Sequence, residues 1–329
     1  MAGHIFNMPQ NNPGASTANL RQWGAAIRAA LTQVLGGSTP GSGNFVASDI
    51  NWSTVTLPTS TGASIGYETW KLNDPGHASS PPVYMKFTYT TGAVGATYIN
   101  IGLTVGTGWS GSSVTGPGSN TIFHLTSYTG SYGPYGGFTD ASSSNSWMNS
   151  DGDGFVWLHA VDSITTSGAN YSKFLLVVDR QRNPNGVAQT NTGWPANLGY
   201  FVGKISATSQ NPTSFSPISY GLTMVVDPIS SEAIASLRWP IIARPGYATS
   251  LSGDGTKTLA SPMWIVNRQG SYTSKMVLSI PRDDVNPGNV VALDFLNASR
   301  EYKASAQYTN GFDYVFGSGS TVALWWGDV

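Results

Sequence analysis

Cysteine is absent from this 329-residue chain. That excludes disulfides, thiol nucleophiles and zinc–thiolate sites. Charge is scarce as well: Asp, Glu, Lys and Arg make up 10% of residues, against roughly a quarter in an ordinary globular protein. The 16 basic and 17 acidic residues leave a net charge of −1 and form no basic stripe. Binding to nucleic acid by counterion release is therefore not expected. No apolar run approaches the roughly 20 residues of a membrane-spanning helix, and none is expected to insert into a membrane. The opening "MAGHIFNMPQNNPGAST" has neither the basic start nor the apolar stretch of a signal peptide.

Hydroxyl, amide and aromatic groups stand in place of the missing charge. Hydrophobic residues make up 40% of the chain, with 11 Trp, 15 Tyr and 39 Gly. A sizeable core can form, and the length suggests about two domains. A surface of hydroxyls and amides hydrogen-bonds well to sugars or to other protein. This balance fits a protein that is covered in its working state.

Residues 1–16 read as an extended arm rich in Asn, Pro and Gly. A helix follows, capped by Ser16 or Thr17. Its apolar residues Leu20, Trp23, Ile27, Ala30 and Val34 recur at spacings of three and four, and Gly36-Gly37 stops it. The stripe fits a helix packed on its own domain. It also fits a short a/d seam between subunits, though it covers barely more than two heptads, and Leu20, Trp23, Ile27 and Val34 are the docking candidates on that reading.

Beyond Gly36 the period changes to two. In "PPVYMKFTYT", Val83, Met85, Phe87 and Tyr89 share a face, and in "TYINIGLTVG", Ile99, Ile101, Leu103 and Val105 do. Such alternation predicts antiparallel strands. Further strands are expected at "GFVWLHAV", "SKFLLVVD", "GYFVGKIS", "GLTMVVD", "MWIVNR", "KMVLSI", "VVALDFL" and "TVALWW", separated by Gly, Pro, Asn and Ser clusters. "EAIASLRW" is a short helical hint. The expected class is all-β, with antiparallel sheets in a sandwich or jelly-roll-like arrangement, an N-terminal arm and one short helix. The proline-bearing "TSQNPTSFSPIS" marks the softest boundary, giving an arm and docking helix (1–37) and two β-rich domains (38–210 and 211–329).

Several motifs invite a chemical reading. "GTGWSG" (106–111) matches G-x-G-x-x-G, but "SSVTGPGSNT" after it cannot be the helix a dinucleotide fold needs. "GASIG" (62–66) matches a nucleophile elbow at Ser64 without the helix that must follow. "NSDGDG" (149–154) resembles half of a calcium loop, with Asn149, Asp151 and Asp153 as weak candidate ligands. Its twelfth position is Ala160, which excludes an EF-hand, and an Asp-Gly hairpin turn explains the same residues. His159 lies beside Trp157 in a strand, as a core histidine would. Asp283 and Asp284 are adjacent and make poor partners for glycoside hydrolysis. No cofactor and no enzymatic activity are expected.

"SYTGSYGPYGGF" (127–138) sets Tyr128, Tyr132, Tyr135 and Phe138 on loose glycine backbone, with Trp147 shortly after. These aromatics fit a subunit contact, where Tyr and Trp are enriched. They also fit a platform for sugar rings, and composition does not separate the two.

Residues 44–111 carry a resemblance. "INWSTVTLP", "IGYETWKLND", "PPVYMKFTY" and "INIGLTVGTGWSG" follow in that order, after "LRQWGAAI" in the helix. The series resembles a group of virion-associated proteins of tailed bacteriophages, usually encoded near tail genes, and it covers about the first third of the chain. The resemblance implies a virion structural protein of the tail, baseplate or collar, made in the host cytoplasm, and it brings no active-site residues. Its expected partners are copies of itself, a trimer on the a/d pattern, and other virion proteins. A receptor-binding adhesin holding host surface glycan and a capsid decoration protein are the alternatives.

Overall fold

The computed structural model describes residues 3–7, 13–72, 82–92, 99–116, 119, 123–125, 144–152, 154–161, 174–180, 196–202, 222–226, 233–234, 237–238, 261–267, 270–281, 288–295, 298–304 and 320–329. The elements in chain order are β1 (His4–Asn7), α1 (Thr17–Leu35), β2 (Phe45–Ser48), β3 (Ser64–Lys71), β4 (Tyr84–Thr91), β5 (Ile99–Gly106), β6 (Gly108–Ser110) and β7 (Ser113–Thr115). Then come β8 (Phe123–His124), β9 (Ser144–Ser150), β10 (Gly154–Val161), β11 (Phe174–Arg180), β12 (Ala196–Val202), β13 (Leu222–Val226) and β14 (Ala233–Ile234). The last are β15 (Leu237–Arg238), β16 (Ser261–Asn267), β17 (Gly270–Pro281), β18 (Val290–Phe295), β19 (Ala298–Ala304) and β20 (Ser320–Asp328).

The fold is all-β with one N-terminal α-helix, as the periodicities predict. Every ladder pairs antiparallel strands. Helix α1 begins where the sequence places its cap: Ser16 is extended, and its Oγ accepts from Asn19 N at 3.1 Å. It ends at Gly36, whose φ of 86° lies in the left-handed region. Asn44 Nδ2 donates to the Leu35 carbonyl at 2.5 Å, satisfying one of the last helix acceptors.

Among the described residues, three large sheets build the body, beside a two-stranded β6-β7 hairpin. A five-stranded sheet runs β2-β3-β4-β5-β8, a seven-stranded sheet β1-β9-β10-β11-β12-β13-β14, and a six-stranded sheet β15-β16-β17-β20-β19-β18. The centre of the seven-stranded sheet is covered on both faces. Met148, Phe155, Trp157, Leu176 and Val178 belong to the core that α1 and the five-stranded sheet share. Trp147, Val156, Leu158 and Val177 belong to the core made with β17, β19 and β20. Burial on both faces explains why "GFVWLHAV" and "FLLVVD" read as nearly continuous apolar runs.

The structure bears on four of these expectations. The apolar stripe of α1 packs on its own domain: Leu20, Trp23, Ile27 and Val34 are buried in a core shared with β3, β4 and β5 of the same chain. The boundary expected at residue 210 falls between β12 and β13, which are hydrogen-bonded neighbours in one sheet. "EAIASLRW" contributes β14 and β15 instead of a helix, because pairing with β13 and β16 overrides its local propensity. The arm is also more structured than its composition suggests, since β1 pairs with β9 from His4↔Met148 to Asn7↔Asn145.

Candidate functional site

A buried polar cluster sits between α1 and the five-stranded sheet. Strand β3 alternates so that Gly66, Glu68 and Trp70 point inward, which carries a carboxylate into an apolar layer. Glu68 is 0% exposed. Trp52 Nε1 donates to its Oε1 at 2.9 Å, and Tyr89 Oη donates to its Oε2 at 3.0 Å. Arg28 Nε donates to Oε1 as the cationic half of an ion pair. Arg28 Nη2 reaches Ser48 Oγ and the Ile50 carbonyl, each at 2.8 Å.

Aromatic edges close the cluster. Trp23, Trp52 and Tyr89 meet one another edge-on, at centroid distances of 5.2 to 6.2 Å. Gly24 lets Trp52 approach the helix, since a Cβ there would overlap its ring. One turn-pair away from Arg28, Arg21 donates to the carbonyls of Val55 and Thr54 at 2.8 and 3.0 Å. Two arginines on one helix face thus fasten the connection between β2 and β3.

Burial pushes the Glu68 carboxyl up, opposed by the Arg28 charge and the three donors around it. Burial pushes the Tyr89 hydroxyl well above its ordinary value, and the adjacent Glu68 carboxylate adds to this. The carboxylate is enclosed by its donors, so the cluster ties a helix to a sheet. It does not present an acid or base to a substrate.

The segments that carry the resemblance converge on this one point. "LRQW" supplies Trp23, "INW" Trp52, "GYE" Glu68 and "FTY" Tyr89. "VGTG" does a related job nearby: a Cβ at Gly106 or Gly108 would run into Val114 or Thr115, so the hairpin β6–β7 can fold close against the end of β5. Gly111, with φ of 70°, makes its turn. The G-x-G-x-x-G match is therefore a tight β-hairpin. Ser64 opens β3 and is exposed at a register shift beside Gly66, so "GASIG" is no elbow.

The calcium-like loop is occupied by its own chain. Asn149 Nδ2 donates to the Trp325 carbonyl at 2.9 Å, and its Oδ1 accepts from Ser150 N. Asp151 accepts from Gly154 N at 3.2 Å through Oδ1 and pairs with Lys275 through Oδ2. Asn149 thus ties β9 to β20, Asp151 holds the turn between β9 and β10, and Asp153 lies outside the described residues. Among the described residues no cluster of acidic or histidine side chains could hold a metal.

Tyr128, Tyr132, Tyr135 and Phe138 also lie outside the described residues. Trp147 is not a free platform. It is 7% exposed and meets Trp326 at 6.4 Å, with Lys303 Nζ 5.9 Å from its ring. His159 is a core residue: Ser146 Oγ lies 3.1 Å from its Nδ1 and accepts from Trp157 Nε1. Burial drops its pKa to about 3.

Sequence reasoning missed Arg28, Glu68, Lys275 and Asp179. For Glu68 the signal was present, because a carboxylate sharing the inward face of Trp70 needs partners. Among the described residues, no helix is long and apolar enough to cross a membrane. No protein-family model matches the chain, and no characterised protein matches it.

Proposed function

We propose that this chain is a non-enzymatic structural subunit of a tailed-bacteriophage particle, placed at the tail, baseplate or collar. The observation behind the reading is the convergence of the resemblance segments on the enclosed Glu68 cluster. Residues that recur in order along such a series are here the residues that fasten a helix to a sheet. A shared series of this kind describes a building module and not a reaction. The poverty in charge and the long antiparallel sheets suit a subunit that works packed against others. With the helix face occupied internally, contacts to other copies fall on the sheet edges.

The test is the composition of purified particles. Gradient-purified virions contain this chain at a fixed copy number per particle if the reading holds. Its presence only in the lysate supernatant contradicts it.

The adhesin alternative has one observation in its favour. On the outer face of the five-stranded sheet, Lys86 Nζ lies 4.0 Å over the Tyr67 ring, and Trp109 stands 6.2 Å from that ring. Aromatic faces beside a hydrogen-bonding cation suit sugar binding. Trp109→Ala then reduces adsorption to host cells without lowering Tm. Unchanged adsorption removes the alternative at this face.

A further inference from the structure

A second buried ion pair lies where the seven-stranded sheet meets the six-stranded sheet, and its chemistry differs from that of the Glu68 cluster. Lys275 is carried on β17. Between Pro262↔Leu278 and Met263↔Ser274 the register shifts, so Lys275, Met276 and Val277 bulge out of the ladder with β16. A bulge re-aims the side chain it carries. Here it brings Lys275 Nζ into direct contact with Asp151 Oδ2 across the seam, with side-chain exposures of 6% and 19%.

The surroundings hold both partners still. Asp151 is fixed by Gly154 N on its other oxygen. Asp179, on β11, accepts from Ser274 Oγ at 2.8 Å and from Lys275 N at 3.1 Å, anchoring the backbone of the bulge. Tyr302 Oη donates to the Lys275 carbonyl at 2.9 Å. The Trp325 ring lies 5.6 Å from Nζ and covers one side of it. Gly154 is required at this point, since a Cβ would meet Met276 and the Asp179 carboxylate.

We propose that Lys275 and Asp151 condense into an intramolecular amide, a covalent tie between the two sheets. One ammonium proton passes to the Asp151 carboxylate, leaving a neutral amine beside a neutral acid. The Nζ lone pair attacks Cγ and the C–N bond forms. One carboxyl oxygen then leaves as water, taking the acid proton and a second hydrogen from nitrogen. Ammonium and carboxylate become amide and water, so atoms and charge balance and no oxidant or cofactor enters.

Two physical arguments favour the step. A buried ion pair carries a large desolvation penalty, and the neutral amide removes both charges at once. Groups held in contact on a rigid frame react as though at an effective concentration of roughly 10⁵ M or more. The proposal does not depend on the virion reading.

The test is the intact mass of the denatured, full-length wild-type chain. The expected value is the sequence mass less one water, and proteolysis yields a branched peptide joining the segments around residues 151 and 275. Lys275→Arg restores the full mass, and Asp151→Asn replaces the loss of water by a loss of ammonia. A wild-type chain at its full sequence mass overturns the proposal. So does a loss of water that persists in Lys275→Arg, which would mark a succinimide at Asp151-Gly152. The decisive measurement is on the wild type, so it stands even where a variant folds poorly.

Discussion

The helix–sheet cluster and the sheet–sheet seam bury the same charges by different means. At Glu68 one carboxylate receives three donors, from Arg28, Trp52 and Tyr89. At the seam one lysine contacts Asp151 while Asp179 anchors its backbone. The guanidinium of Arg28 is planar and forked, so it can also hold Ser48 and Ile50. A lysine ammonium can become a nucleophile once it loses a proton. The difference explains why the first cluster works as a permanent ionic clasp and why the second is the place to look for covalent chemistry.

The comparison breaks first if Glu68 proves dispensable. Glu68→Ala leaves Arg28, Trp52 and Tyr89 facing a hole, and removing one partner of a buried pair costs about 3–5 kcal/mol. Arg28 is partly exposed and can recover some hydration, which places the expected loss near 3 kcal/mol in denaturant unfolding. A loss well under about 1 kcal/mol would reduce the clasp to an ordinary surface pair.

Acid sharpens the comparison, because His159 lies in the seven-stranded sheet that forms one side of the seam. Its folded pKa of about 3 is below the ordinary 6.5. Between those values the unfolded chain binds the extra proton, so stability rises with pH through this window and is fully present above it. At about 1.4 kcal/mol per unit, the loss on going from pH 6.5 to pH 4 is about 3 kcal/mol from this residue. Removing the imidazole in His159→Gln should flatten that part of the stability–pH curve. A curve unchanged by the substitution would mean that other groups set the acid limit.

Gly24→Ala tests the helix side of the clasp by its sign. In an exposed helix interior this change stabilises by about 1 kcal/mol. Here the added Cβ would overlap the Trp52 ring, and overpacking should destabilise by about 1–3 kcal/mol. A rise in Tm would show that Trp52 can move away from α1. The smallest expected effect is Ser16→Ala, which removes the cap on Asn19 N and should lower stability by about 1 kcal/mol. No measurable change would mean that water replaces the cap.

Much of this architecture was legible in the residues, for reasons specific to each element. Helix α1 announced itself through a cap, a 3–4 spacing and a terminal glycine. Strands β4 and β5 did so through strict alternation, and β10 and β11 through apolar runs. Strand β9 was hidden in "ASSSNSWMNS", because Ser146, Asn149 and Ser150 hydrogen-bond inside the protein, where such residues in sequence mimic a loop. β14 and β15 were hidden because two-residue pairings leave no period to read. For the cluster, the sequence displayed Trp23, Trp52, Glu68 and Tyr89 without showing that they meet. Their contacts span 16 to 40 positions within the cluster and depend on how β3 and β4 register. The seam was less accessible still, since Asp151 and Lys275 are 124 positions apart and meet through a bulge.

The central proposal is that this chain is a built-in part of a phage particle near its tail. Gold-labelled antibody against the chain, imaged on intact virions, tests it most directly. The account predicts label concentrated at the tail, baseplate or collar. Particles without label, or label spread evenly over the head, would contradict it.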